Sequence, residues 1–311
     1  MDLLITGGTG LVGRALCRAA LRAGHGVTVL TRDPARARAT MPGAVNLRRW
    51  LPPAPFPAEE LRGQNAVVNL AGESIAGGRW SAARKRRIEA SRVGATEALM
   101  AALARLNAGG PTTVLSASAV GIYGPRGDEA LDEGAAPGTD FLAQVCRAWE
   151  GALFTPHAGP QRRIALRTGL VLSGQGGLLP RLLPLFRLGL GGRLGHGRQW
   201  MSWIHVDDLV GLMLFLLDRD GPGGVFNATA PEPVTNRAFT QALAAALHRP
   251  ALLPVPALAV RLALGEMALL ALTGQRVLPR AALDAGYTFA HPEIGGALRH
   301  LLAPTAGETT P

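Results

Sequence analysis

The chain has 311 residues, enough for one large or two modest domains with a substantial hydrophobic core. Its formal net charge is +10, but nearly all of its basic residues are arginines scattered along the sequence, so we expect no nucleic-acid partner. The one dense basic cluster, residues 84–87, falls in a predicted helix and is interpreted as a solvated face. Cys17 and Cys146 provide neither a disulfide framework nor a metal-binding spacing, which favours a reducing compartment.

No export or membrane segment is predicted. Met1 and Asp2 lead directly into the first predicted strand, so we expect no signal peptide. The apolar stretch 258–272 contains Arg261 and Glu266 and is too short to cross a bilayer, so it is predicted to be a core helix. These features predict a cytoplasmic protein without a membrane partner.

A glycine-rich turn follows the first predicted strand, residues 3–6, and precedes a helical pattern. A second strand follows at 27–30. Glycines in this context allow a pyrophosphate to approach the backbone, and the helix N-terminus offers unpaired N–H groups to the anion. The pattern predicts a dinucleotide site. Its predicted contacts are Gly7, Thr9, Gly10, Leu11, Val12 and Gly13.

The end of the second strand selects the nucleotide. An NAD site usually has an acidic residue there, whereas this chain has Thr31 and Arg32. An arginine beside a hydroxyl suits a 2′-phosphate through charge-assisted hydrogen bonds. Asp33 competes with this interpretation, although it precedes Pro34 and its alternative role is to cap the next helix. We therefore predict NADP(H) as the cofactor.

Strands and helices continue to alternate along the chain. Strands are predicted at 66–70, 112–118 and 163–168, with helices at 81–106 and 141–153 between them. The alternation predicts an α/β fold, a Rossmann-type doubly wound parallel sheet with ligands at the carboxyl ends of its strands. Further cofactor contacts are therefore predicted at Leu70, Ala71, Gly72 and Ser116, with Arg92 as a cationic partner for a phosphate.

Several motifs together resemble a known family. The most specific are Asn69-Leu70-Ala71-Gly72-Glu73 and the run 198–208, which reads Arg-Gln-Trp-Met-Ser-Trp-Ile-His-Val-Asp-Asp; others lie at 79–80, 91–92, 116–124, 191–192, 227–231 and 274–279. The chain resembles an extended short-chain dehydrogenase/reductase, the superfamily of nucleotide-sugar epimerases and dehydratases. It is most similar to an atypical, "NAD-dependent epimerase/dehydratase-like" or YfcH-like, branch, and the match covers almost the whole chain.

The resemblance implies two parts. A Rossmann domain would span 1–168, with 203–228 returning to it, and a smaller C-terminal substrate domain would comprise 169–202 and 229–302. The tail 303–311 is expected to be disordered. Near the implied cleft, the candidate substrate contacts are Arg198, Gln199 and Trp200.

The resemblance also exposes a departure in the catalytic positions. In typical members a serine orients the substrate and a Tyr-x-x-x-Lys pair handles the proton. Ser118 retains the first role, but Cys146 and Glu150 occupy the tyrosine and lysine positions. Cys146 would act as a thiolate or proton relay, or else simply pack as a small apolar residue. Tyr123 would supply the missing phenol, or else anchor its loop by hydrogen bonding to backbone.

Two further groups have alternative interpretations. Glu73 lies at the ligand edge and would act as an acid or base, or else pair with Arg79 or Arg92. The run 205–208, His-Val-Asp-Asp, looks like a metal pair, but its counterpart in the superfamily is a strand-to-helix junction capped by an aspartate. No metal is predicted.

Two functional classes follow from these observations. The first is an NADP(H)-dependent oxidoreductase or epimerase acting on a small polar, nucleotide-linked substrate. The second is a non-catalytic NADP(H)-binding regulatory or scaffold protein, favoured by the loss of both tyrosine and lysine. Fold alone does not decide between them. A homodimer is left open.

Overall fold

The computed structural model describes residues 1–106, 109–156 and 161–303. Seven parallel strands form one sheet in the order β11-β7-β5-β4-β1-β2-β3, which confirms the predicted doubly wound fold. Their apolar residues are buried on both faces, as parallel sheets require. The strands are β1 (Asp2–Thr6), β2 (Gly26–Thr31), β3 (Asn46–Arg49), β4 (Ala66–Asn69), β5 (Thr113–Ala119), β6 (Ala130–Leu131), β7 (Arg162–Thr168), β8 (Leu170–Leu172), β9 (Trp200–Met201), β10 (Trp203–His205), β11 (Gly224–Ala228), β12 (Val234–Thr235) and β13 (Arg276–Val277).

Several helices begin after a residue whose side chain caps them. Ser81 and Asp140 accept hydrogen bonds from the backbone N–H groups three residues on, and so start α3 and α4. The helices are α1 (Leu11–Arg22), α2 (Pro34–Arg38), α3 (Ala82–Ala104), α4 (Phe141–Leu153), α5 (Leu179–Arg187), α6 (Val206–Asp218), α7 (Asn236–Ala246), α8 (Ala257–Leu264), α9 (Leu269–Leu272), α10 (Arg280–Asp284) and α11 (Ile294–Leu302).

The core has one layer on each side of the sheet. Alternate residues of β1 point to opposite faces, so Leu3 and Ile5 pack with α1 and α6, whereas Leu4 packs with α3. The edge strand β11 pairs with β7, although residues 169–223 separate the two strands in the sequence. This arrangement brings the carboxyl ends of β1, β2, β4 and β5 to one edge.

Two chain segments, 169–202 and 229–302, contribute most of a second hydrophobic cluster, which includes Leu179, Phe239 and Leu298, and we call these two segments the lobe. Three short strand pairs involve the lobe: β9 pairs with β12 within it, β8 pairs with β10 just beyond it, and β13 pairs with β6 in the loop after β5. The division into two domains remains an interpretation, and the predicted disorder of 304–311 concerns residues outside those described.

The prediction of one core helix over 258–272 is wrong. The segment forms α8, a 3₁₀ turn and α9, because the chain breaks at Gly265, whose φ is +59°. Leu258 and Leu262 are 66% and 68% exposed on α8. Within the described part of the chain, no helix is long and apolar enough to span a membrane.

Candidate functional site

The glycine turn between β1 and α1 forms a close-fitting cradle. Gly7 has a φ of +66°, and a Cβ added there would lie 2.3 Å from the carbonyl oxygen of Leu70. A Cβ on Gly13 would lie 2.5 Å from the carbonyl oxygen of Gly7. Gly10 is the N-cap residue of α1. Because glycine has no side chain to accept a hydrogen bond, α1 begins without a side-chain cap. The turn therefore fits the pyrophosphate of a dinucleotide, because bare backbone and unpaired N–H groups face the same space.

The end of β2 carries a positive charge from Arg32 that no hydrogen bond to Asp33 neutralises. Asp33 accepts a hydrogen bond from the Arg36 N–H at 3.0 Å and caps α2, so its predicted alternative role is confirmed. Arg32 is exposed beside it, and Arg49 is the register partner of Thr31 on β3. Because the carboxylate of Asp33 is used by the backbone, this corner suits a phosphate better than a ribose hydroxyl.

Buried hydrogen bonds fix the carboxyl ends of β1, β4 and β5. Together with the end of β2, these strand ends form the edge of the sheet where the dinucleotide is expected, called the nucleotide edge below. The Asn69 side chain accepts from the Thr6 hydroxyl at 2.6 Å and donates to the Thr96 hydroxyl at 2.9 Å. It also donates to Ser116 Oγ at 3.3 Å, and the Trp149 indole donates to the same Thr96 hydroxyl. The ends of β1, β4 and β5 are therefore fixed against α3 and α4. Ser116 is 1% exposed here, and its predicted cofactor contact stays a prediction.

Arg92 lies beside the loop that follows β4. A Cβ added at Gly72 would lie 3.2 Å from the guanidinium carbon of Arg92, whose guanidinium also lies 5.4 Å from the ring centroid of Trp149. Its Nη1 donates to the Ile88 carbonyl at 3.0 Å. Burial lowers the pKa of Arg92. A guanidinium therefore lies beside the loop 70–72, and its predicted contact with a cofactor phosphate stays a prediction.

Glu73 is held by arginines of α3. Its carboxylate lies 3.1 Å from Arg84 Nη1 and 3.5 Å from Arg87 Nε. The predicted pairing with Arg79 or Arg92 is wrong, because the first turns of α3 bring different arginines to it. Arg79 instead donates to the carbonyl groups at 262 and 263. The basic cluster 84–87 is thus only partly a solvated face.

A buried ion pair occupies the position expected for the catalytic lysine. Ser118 Oγ donates to Glu150 Oε1 at 2.6 Å. Arg167, from β7, donates to both oxygens of the same carboxylate, at 2.9 Å from Nε and 2.8 Å from Nη2. Burial opposes the charge of Arg167, but its hydrogen bonds to Glu150 and the charge of that carboxylate raise the pKa of Arg167 overall. Ser118, Glu150 and Arg167 are 4%, 9% and 7% exposed, so water screens this pair weakly.

Tyr123 extends this network away from the nucleotide edge. Its hydroxyl donates to Asn227 Oδ1 at 2.7 Å and accepts from Arg167 Nη1 at 2.9 Å. Asn227 in turn donates to the Leu278 carbonyl at 3.0 Å. Burial raises the pKa of Tyr123, and its side chain is completely buried. The predicted backbone anchor is therefore wrong in its partners, because the hydroxyl is held by two side chains, and a catalytic role for Tyr123 stays a prediction.

Cys146 lies in an apolar cluster with Ile122, Leu131 and Val277. Burial, reinforced by the charge of Glu150, raises the pKa of its thiol to about 12. The thiol is therefore protonated at neutral pH, and its nucleophilic form is scarce. The structure favours the packing interpretation over the thiolate.

The candidate substrate residues have different surroundings. The Trp200 indole donates to Asp128 Oδ1 at 2.6 Å, and the Arg276 guanidinium lies 4.9 Å from the Trp200 ring centroid. Gln199 donates to the carbonyl groups at 194 and 271, at 3.1 and 2.8 Å, so its amide ties two lobe segments together. Arg198 is exposed. The predicted substrate contacts of Arg198, Gln199 and Trp200 stay predictions.

A small cleft of about 90 Å³ lies between the start of α4 and the lobe. Trp80 and Phe141 line it from the nucleotide-binding side, and Leu269, Leu270 and Gln275 line it from the lobe.

Sequence reasoning missed these lobe residues, and also Arg167, Asn227 and Arg276 as members of the site. An arginine inside the otherwise apolar strand 163–168 is the signal that would have found Arg167.

The fold and the site together define a dinucleotide-binding protein of the Rossmann type. The model of the NAD dependent epimerase/dehydratase family matches residues 3–229, and that of a domain of unknown function matches residues 255–301. The chain belongs to the NAD dependent epimerase/dehydratase family, which confirms the resemblance found in its motifs.

Two relatives match over nearly their full length, and a third matches over part of its length. The chain is 42% identical over 300 residues to the epimerase family protein ML0860 of Mycobacterium leprae, covering 95% of this chain and 94% of the relative. The crystal structure of human epimerase family protein SDR39U1 (isoform 2) with NADPH matches with a TM-score of 0.87 and 34% identity, over 97% of this chain and 99% of that one. A nucleoside-diphosphate sugar epimerase from Corynebacterium glutamicum matches with a TM-score of 0.78 and 36% identity, over 97% of this chain and 58% of that one. The nucleotide in the human structure agrees with the predicted cofactor.

Proposed function

We propose that this chain is an NADP(H)-dependent oxidoreductase or epimerase that acts on a small polar, nucleotide-linked substrate bound between the sheet edge and the lobe. The observation that carries the proposal is the 2.6 Å hydrogen bond from Ser118 Oγ to Glu150, which is itself fixed by Arg167. This arrangement joins the retained serine hydroxyl to a carboxylate that stands at the position of the family's lysine.

The chain's own residues fit the cofactor. The turn 7–13 and the loop 70–72 would hold the pyrophosphate, Thr31 and Arg32 the 2′-phosphate, and Arg92 a further phosphate oxygen. The NADPH in the human relative supports this assignment. A bound NADP(H) supplies hydride exchange with a carbonyl or alcohol carbon.

Ser118 and Glu150 would move the proton. Because the Ser118 proton is directed at Glu150 Oε1, the Ser118 oxygen keeps its lone pairs for the proton of a substrate hydroxyl. As a substrate alcohol is oxidised, its proton passes to Ser118 Oγ, while the Ser118 proton passes to Glu150. Carbonyl reduction reverses both transfers. Arg167 keeps the carboxylate oriented throughout.

The test is a screen of aldehydes, ketones and nucleotide sugars that follows NADPH absorbance, repeated on four variants. We expect Ser118→Ala and Glu150→Gln to lower turnover by about 100-fold or more while NADPH affinity is unchanged. Cys146→Ala and Tyr123→Phe are the matched buried controls and should retain turnover. Loss of turnover in Cys146→Ala with Ser118→Ala unaffected would reverse the assignment.

One observation favours the non-catalytic alternative. The only lysine of the chain is Lys85, so α4 carries no lysine for the ribose, and Glu150 stands in a closed ion pair. A sensor or scaffold would bind NADPH without turnover on any substrate of the screen. Binding itself is tested by fluorescence titration of Arg32→Asp, with the exposed Arg62→Asp as control. Selective loss of NADPH affinity in Arg32→Asp supports both functions, and failure of the wild-type protein to bind NADPH eliminates both.

A further inference from the structure

Three of the chain's seven histidines converge outside the nucleotide edge. His205 ends β10, His291 precedes α11, and His300 lies in α11. His205 Nε2 lies 3.1 Å from His300 Nδ1, and the His291 ring stacks on the His205 ring with centroids 3.8 Å apart. With Asp207, these side chains offer four ligand atoms that all lie within 4.8 Å of one another.

A buried carboxylate holds this cluster together. Asp208 is 2% exposed and accepts hydrogen bonds from the backbone N–H groups of Ala290, at 2.7 Å, and His291, at 2.9 Å. The Tyr287 hydroxyl donates to the Asp208 carbonyl at 3.0 Å. The backbone of His291 is therefore held against the start of α6.

We propose that His205, His291 and His300 bind a divalent transition metal, for which Zn²⁺ is the best fit. Zinc–nitrogen bonds are about 2.0–2.1 Å long, so two nitrogens of a tetrahedral site stand about 3.4 Å apart. The 3.1 Å between His205 Nε2 and His300 Nδ1 is close to that edge. A set of imidazoles favours zinc, copper or nickel over magnesium or calcium.

Metal binding requires a proton to change position. The Asp207 N–H donates to His205 Nδ1 at 3.0 Å, so without metal the His205 proton is on Nε2 and points at His300. Coordination through Nε2 moves that proton to Nδ1, so the Asp207 N–H must give up its hydrogen bond to Nδ1 and the start of α6 must shift until Nδ1–H donates to the Asp207 carboxylate, whose Oδ2 now lies 3.8 Å away. Such a histidine–carboxylate pair is the usual support of a metal ligand. The His291 ring must rotate out of its stack to direct a nitrogen at the same point.

The site would join elements that are distant in sequence. His205 begins α6, which packs on the sheet, whereas His300 belongs to α11 of the lobe. A metal shared between them would fasten the C-terminal helix to the body of the protein. Its role is therefore structural, and none of its ligands belongs to the proposed proton path.

The experiment titrates chelator-treated full-length protein with Co²⁺, followed by its visible absorption, and with Zn²⁺, followed by calorimetry. We expect one equivalent per chain, with affinity in about the micromolar range or tighter, and a rise in melting temperature. His291→Ala and His300→Ala should each weaken binding by about 10-fold or more, while the exposed His196→Ala serves as the matched control.

The variants remain interpretable because His291 is half-buried and His300 is exposed, so we expect both to fold and to keep NADPH affinity. The proposal is overturned if the wild-type protein shows no saturable binding below about 100 μM, which is weaker than any of these ligand sets should give. It is also overturned if the double variant binds as tightly as wild type, or if His196→Ala loses the metal equally.

Discussion

Replacement of Arg167 tests whether the buried ion pair organises the site. Arg167→Met keeps most of the side-chain volume but leaves the Glu150 carboxylate, 9% exposed, without its cation. Breaking a buried pair from one side costs about 3–5 kcal/mol, because the remaining charge is neither solvated nor paired. The variant also removes the hydrogen bond to Tyr123. The expected loss is a large fraction of a typical folding free energy of about 5–15 kcal/mol.

Equilibrium urea unfolding measures this loss of stability. A double-mutant cycle shows how much of it comes from the interaction between Arg167 and Glu150. Glu150→Gln alone leaves Arg167 buried without a counter-charge and should also destabilise. The double variant Arg167→Met with Glu150→Gln contains no orphaned charge, so it should cost less than the sum of the two single changes by about 2 kcal/mol or more. An unchanged m-value would show that the unfolded state is the same in each case.

The chain provides a matched control. Arg126 makes the same two-pronged contact with Glu129, at 2.9 and 3.2 Å, but on the surface. Arg126→Met should therefore change stability little, because exposed pairs are screened by water and salt. If Arg167→Met costs no more than Arg126→Met, or if the two single changes simply add, our account of the buried network is wrong.

Three further predictions concern separate parts of the fold. Gly7→Ala should lower NADPH affinity at least about 10-fold in a fluorescence titration, because a Cβ there meets the Leu70 carbonyl oxygen; an unchanged affinity would contradict the cradle. The folded pKa of Cys146 is raised from 9.0 to about 12, so its contribution to stability is complete below pH 9 and is lost as pH rises towards 12. That loss should reach about 1.4 kcal/mol at pH 10, and urea unfolding of Cys146→Ala should show a shallower decline. Ser81→Ala removes the cap of α3 and should cost about 1 kcal/mol in the same assay, with a cost near zero counting against the cap.

The nucleotide edge was predictable because its signals are local. A strand, a glycine turn and a helix follow one another within about two dozen residues, so the order alone places Gly7 and Gly13 at one end of the sheet. The same holds for α4, whose predicted bounds 141–153 agree with the structure because Asp140 caps it.

Side-chain partnerships were not predictable, because they depend on which elements pack together. Arg167 and Glu150 meet only when β7 lies beside α4, and nothing in either segment alone specifies the pair. Glu73 likewise pairs with Arg84 and Arg87, because these arginines lie in the first turns of α3, whereas Arg92 lies further along the helix. Over 258–272, the leucine-rich composition concealed the break at Gly265.

The lobe is attached to the sheet by three chain crossings, near residues 168, 202 and 228, because one of its segments is inserted between strands and the other follows the last strand. A swinging motion of the lobe would have to bend the backbone at all three crossings at once, so the order of the strands that hold the nucleotide constrains how the cleft could open.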